Sequence, residues 1–191
     1  MTTAQSSARE VAHTAAAAFG GTPSIHRYHD EPETHAVDIL SCGERPRHGY
    51  TCYSTVDLHR APNALEEKDI RVELAGVAEA EVSRFPNVLA TAAFCVMKDG
   101  WLCAPGVVFP SLLSEYELSD ELEHVLWVPP FPWERLAEVS LSGGARIHWL
   151  LAVPISESER RFLEDAGYDH LEREFADREI DYFDLSRPAV V

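Results

Sequence analysis

The sequence predicts a single α+β domain, a central mixed β-sheet flanked by helices, and three observations carry that expectation. Apolar residues alternate with a two-residue period through much of the front half. Helical spacing appears near the N-terminus, in the middle and near the C-terminus. A long apolar run from Ala145 to Val153, entered through Gly143-Gly144, has the character of a central strand buried on both faces.

The elements follow in order. Ser7 with Glu10 has the spacing of a capping box, and Val11, Ala15 and Ala18 then recur helically until Gly20-Gly21, so a helix is expected over 8–19. Segment 1–22 is assigned to the same domain as the body, 23–191. Strands are expected at 24–30 and 35–42, with a third at 49–58, where Tyr50, Cys52, Ser54 and Val56 alternate with Thr51, Tyr53 and Thr55. A fourth follows the polar loop at Pro62-Asn63, over 69–74. Pro86 suits the first turn of a helix whose apolar face runs through Val88, Leu89, Ala92, Ala93, Cys95 and Val96 to an end at Asp99-Gly100.

Trp101 to Pro110 is expected to be a buried loop leading to a short strand at 107–109. A strand follows at 124–128, stopped by Pro129-Pro130, then a helical turn within 131–139 and the central strand. Ser142-Gly143-Gly144 fits a tight turn better than a nucleophile or phosphate cradle. Ser156 with Glu159 forms a second capping box, opening a helix that ends near Gly167. Asp169 starts the next, with Leu171 and Phe175 inward.

Composition narrows function. The chain has 191 residues, 16 basic against 32 acidic, for a formal charge of −16. A chain of this length buries roughly 70% of its unfolded surface, so it needs no covalent staples. Phosphates would be repelled, which argues against nucleic acid and leaves a basic partner or plain solubility as accounts of the charge. No apolar run reaches the roughly 20 residues that span a bilayer. Glu10 and His13 break the Ala15–Ala18 stretch as a signal peptide, so a cytoplasmic location is expected. Cys42, Cys52, Cys95 and Cys103 are irregularly spaced and are expected to be free thiols.

An ordered set of motifs then accumulates: Tyr28-His29-Asp30-Glu31, His35-Ala36-Val37-Asp38, Arg45-Pro46, a Tyr-Thr strand from Tyr50 to Leu58, and Glu73-Leu74. Phe85-Pro86 opens a helix, and Trp101-Leu102-Cys103-Ala104-Pro105-Gly106 leads to Phe109-Pro110. Trp127-Val128-Pro129-Pro130, a strand from Gly144 to Pro154, an acidic helical segment 157–175 and Ile180-Asp181 through Arg187-Pro188 complete it. In this order, from Ser24 to Val191, the chain resembles the suppressor of fused family. Tyr53-Ser54-Thr55 departs from the small Gly-containing segment common there. The resemblance implies a protein-binding fold without a catalytic centre or cofactor. The single-domain length matches bacterial members that look like toxin-neutralising immunity proteins; the animal protein continues into a second domain.

The candidate partner-binding residues are the acids Glu115, Glu117, Asp120, Glu121 and Glu123, a stretch without a base, with Tyr53, Tyr116 and Trp133 as exposed aromatic anchors beside them. Solvated surface is the competing account. Two other functions stay open: a regulatory scaffold binding a peptide along a sheet edge, and a small thiol- or metal-dependent hydrolase. Cys52 with His48, or Cys103 with His124, would supply its nucleophile and base. Metal binding is not expected, because His26 and His29 face opposite ways on a strand and neither has a second pair of ligands at usable spacing.

Overall fold

In the computed structural model, which describes residues 3–65 and 68–191, helix α1 (Thr3–Phe19) leads into strands β1 (Pro23–His29), β2 (Ala36–Gly43) and β3 (Tyr50–Thr55). Met1 and Thr2 of the expected N-terminal segment lie outside the described residues. Strands β4 (Ala64–Leu65) and β5 (Lys68–Asp69) pair with each other. Then come β6 (Arg71–Glu79), α2 (Phe85–Asp99), β7 (Val108–Phe109) and β8 (His124–Val128). The chain closes with β9 (Val139–Ser140), β10 (Arg146–Ile155), α3 (Glu157–Ala166) and α4 (Tyr168–Asp177).

The main sheet has the order β1-β2-β3-β6-β10-β8-β7, with β9 beside β10. Its pairs are antiparallel except β10 against β6, so the sheet is mixed, as the sequence predicts. Alternation sorts the side chains to two faces. Val37, Ile39, Leu74, Val125, Trp127 and Leu150 meet α2 on one, and Leu40, Cys42, Cys52, Leu126, Trp149 and Leu151 meet α1, α3 and α4 on the other. Both faces of β10 are covered.

Local chemistry sets several boundaries. Pro86 lies in the first turn of α2, and Gly100 caps it at φ 67°, donating its N–H to Cys95 O. A Cβ on Gly76 in β6 would lie 2.5 Å from the Phe85 ring, so the first turn of α2 sits this close to the sheet only because that residue is glycine. The capping box at Ser156 forms in both directions with Glu159. The turn at Ser142 is also present, with Gly144 N–H donating to Leu141 O.

Some expectations need correction. Helix α1 starts at Thr3, so Ser7 lies inside it and Ser7 with Glu10 is no capping box. Glu10 instead accepts the Ser142 N–H and hydroxyl, tying α1 to the turn before β10. Strand β3 ends at Thr55 because a 3₁₀ turn over Leu58–Arg60 follows, β6 runs on to Glu79, and β10 continues through Pro154. In the loop after α2, Cys103 and Ala104 are buried but Trp101 is 38% exposed. A two-way bond between the Asn63 amide and the Cys103 backbone anchors that loop, which hydropathy could not reveal.

Candidate functional site

Residues 110–123 join β7 to β8 and carry every acid of the candidate set. Three leucines, Leu112, Leu113 and Leu122, are buried and pin the segment to the core. Ser119 fixes it again: its hydroxyl donates to Leu185 O at 2.5 Å and accepts the Leu122 N–H at 3.0 Å. Ser111 and Glu117 take left-handed backbone conformations, at φ 60° and 53°, that reverse the chain between these anchors. With the leucines turned in, Glu115, Glu117, Asp120, Glu121 and Glu123 are turned out and exposed, and among the described residues none forms an ion pair.

Three depressions border the loop. Glu115 and Tyr116 line one of about 500 Å³ against α2 and the end of β1. Glu117, Asp120 and Glu121 line a second of about 430 Å³, facing Asp184 and Ser186. Asp120, Glu121 and Glu123 line a third of about 590 Å³, with the start of α3 opposite. Two acids on the opposing walls, Glu157 and Asp184, are engaged. Glu157 accepts bonds from Arg160, Arg161 and His124, and its carboxyl is held well below the usual range by Arg160 first and His124 next. The Asp184 carboxyl is lowered first by the Ser186 hydroxyl bond.

Two of the three predicted aromatic anchors are not there. Tyr53 is 8% exposed and packs against the Phe85 ring at 5.8 Å. Trp133 is 7% exposed, its ring 4.5 Å from that of Phe19. Both sit where the two-residue period and a turn pattern suggest half-exposed positions, but helices cover both faces of the sheet. Tyr116 does line a depression; it is half-buried and its hydroxyl lies 2.6 Å from that of Thr91. Other wall residues, Glu31, Phe94 and Asp99, come from distant segments, and no local signal in the sequence marks them.

The hydrolase pairs do not assemble. Cys52 is fully buried opposite Cys42 across β2 and β3, and burial pushes its thiol up to about 12, while His48 is exposed beside Glu44. Burial also raises the Cys103 thiol. His124 is engaged at both nitrogens: Nδ1 accepts the Ser111 N–H at 2.9 Å and Nε2 meets Glu157 at 2.9 Å. Thiols held so strongly in the protonated state are poor nucleophiles.

A different line of residues has the connectivity of a hydrolytic triad. His59 lies with Nε2 3.1 Å from Ser7 Oγ and with Nδ1 donating to Glu73 Oε1 at 2.6 Å. Glu73, fully buried, also accepts the Leu58 and His59 N–H groups and the Thr55 hydroxyl. Ser7 sits within α1, where its own amide belongs to the helix and is not available to polarise a carbonyl. The line is a polar brace joining α1, the 3₁₀ turn and β6. Among the described residues no three His, Cys, Asp or Glu side chains converge as a metal site.

The family model for the suppressor of fused protein matches residues 33–188. The chain belongs to the suppressor of fused family. Within it, this member is 36% identical over 183 residues to a Bacillus subtilis (strain 168) protein named immunity protein YqcF, covering 95% of each chain. Its fold is similar to that of a suppressor of fused homologue from Neisseria gonorrhoeae FA 1090, with a TM-score of 0.69 at 17% identity, covering 96% of this chain and 98% of that one. It is similar also to a chain of the Sufu–Fu complex, at TM-score 0.65 and 12% identity, covering 96% and 92%. The suppressor of fused fold here therefore presents an acid-lined surface built around one firmly anchored loop.

Proposed function

We propose that this protein is a non-catalytic immunity protein that binds and neutralises a cognate toxin, and that the toxin is basic where it docks. The observation that carries the reading is the identity, along nearly the whole chain, with a protein named for immunity. Supporting the choice of surface, the acids of the 110–123 loop are exposed and, among the described residues, form no ion pair, on a segment anchored by buried leucines. Rigid, unpaired charge draws an opposite partner in at long range and loses little entropy on contact.

The test is association of the purified chain with a toxin encoded beside it. A complex forms at low salt, with an association rate that falls as salt rises. Glu115→Lys combined with Glu121→Lys slows association roughly tenfold and flattens its salt dependence. Absence of any complex at low salt refutes the reading, whereas unchanged kinetics in the double variant moves the interface elsewhere.

A further inference from the structure

The depression between α2 and the end of β1 is lined by three aromatic rings, whereas Phe162 is the one aromatic lining the depression at the start of α3 and none lines the other. Tyr28, Phe94 and Tyr116 contribute half-buried rings, with Ala90 beneath. Glu31, Asp99 and Glu115 stand exposed at the rim and, among the described residues, carry no ion pair. The cation in the wall, Lys98, is committed to Asp30 at 3.2 Å. Asp30 is itself saturated by the Thr34 and His35 N–H groups and the Thr34 hydroxyl. The Cys95 thiol in the lining is raised by burial first and then by the charges of Asp99 and Glu115, with Lys98 opposing them.

The protein holds two of its own arginines with just this pairing of ring and carboxylate. Arg47 lies over the Tyr50 ring at 4.1 Å and is paired with Asp181. Arg187 lies over the Phe175 ring at 5.2 Å and is paired with Glu159. In the groove, rings and carboxylates are present, but among the described residues the lining cation, Lys98, is paired with Asp30 and no guanidinium lies over these rings. A planar guanidinium fits better than an ammonium, since it stacks on a ring while its edge reaches a carboxylate.

We infer that the groove bounded by α2, the β1 end and Tyr116 is an anchor pocket for an arginine side chain presented by the protein partner, with Phe94 and Tyr116 below the guanidinium and Asp99 and Glu115 beside it. This rests on the protein-binding reading and specifies what enters one part of the surface.

The probe is a synthetic peptide, acetyl-Gly-Leu-Arg-Leu-Gly-amide, titrated into the ¹⁵N-labelled full chain at pH 8. Saturable amide shifts are expected at residues 28–32, 87–99 and 115–116. The same peptide with lysine binds roughly two- to fivefold more weakly, and with neutral citrulline no saturable shifts remain. Phe94→Leu, and separately Asp99→Asn with Glu115→Gln, weaken arginine-peptide binding by a similar factor of about two to five. Glu134→Gln with Asp177→Asn, exposed acids that do not line the groove, leaves it unchanged. Shifts spread over the whole acidic surface, equal binding of lysine and arginine, or indifference to both groove variants would each overturn the assignment. Toxin binding measured on the same variants separates the two claims: a toxin that binds wild type and groove variants equally defeats the arginine pocket alone. Peptide capture without toxin binding leaves the pocket standing and defeats the immunity reading.

Discussion

Glu159, in the first turn of α3, and Glu121, on the loop that lines a depression with the start of that helix, belong to different regimes. Glu159 is fully buried and accepts both Arg187 Nη atoms, at 2.7 and 2.9 Å, as well as the Ser156 and Val190 N–H groups. Glu121 is exposed and, among the described residues, forms no ion pair. Glu73 repeats the first pattern and the rest of the 115–123 acids repeat the second. A carboxylate can leave water only where donors replace its hydration, so the saturated acids are needed by the fold. The exposed ones add to the mutual repulsion within a chain of formal charge −16 and, among the described residues, bring no stabilising side-chain bond to the fold.

The hardest way to break this division is to remove the donor from the clasp. Arg187→Ala should cost about 3–5 kcal/mol by urea denaturation, because it strands a buried carboxylate. A loss below roughly 1 kcal/mol would mean that Glu159 is not the structural acid described here. Next comes Glu73→Gln, which turns one acceptor into a donor facing N–H groups and should cost about 2–3 kcal/mol. Ser7→Ala on the same brace should cost only about 1 kcal/mol. It should also leave no hydrolytic rate to lose, an outcome that tests the brace against a triad.

Asp57 sharpens the comparison because it falls between the regimes. Its side chain is 14% exposed and accepts the Asp38 N–H, with Arg60 no nearer than 3.6 Å. Burial, opposed by that amide bond, lifts its carboxyl to about 6. A folded-state value above the unfolded one means the native protein holds this proton more tightly. Its stabilising contribution is therefore complete below about pH 4 and is lost as pH rises through 6. Asp57→Asn keeps the acceptor and removes the titration. The variant should be more stable than wild type by roughly 1–2 kcal/mol at pH 7, and the gap should close by pH 4. Thermal midpoints across that range decide it. A constant gap would place the effect outside Asp57 ionisation.

Smallest of all for stability is reversal on the loop. Glu117→Lys with Asp120→Lys should move the unfolding free energy by less than about 0.5 kcal/mol, as expected of exposed sites. A much larger loss would put these acids among those the fold requires.

Legibility in the sequence followed locality. The strand at 124–128, the proline-started helix and the Ser156 capping box agree with the structure, since each depends on neighbours within a few residues. The acid-rich 115–123 stretch was visible, but the leucines and Ser119 that aim it outward act through contacts with Leu185 and the core. Alternation along β3 cannot tell how many layers cover Tyr53, and the turn pattern around Trp133 does not show that Phe19 of α1 covers it. The Ser7–His59–Glu73 brace joins residues far apart in sequence and leaves no pattern.

By itself the sequence determined the α+β class, the main elements, the resemblance to the suppressor of fused family and an acid-rich segment. These follow from periodicity, capping chemistry and the order of motifs, which are read along the chain. Only the tertiary structure decided which carboxylates are saturated and which are free, and which rings form a groove with them. Donor supply and burial are set by residues brought together across the sheet, and that pairing has no counterpart in local sequence.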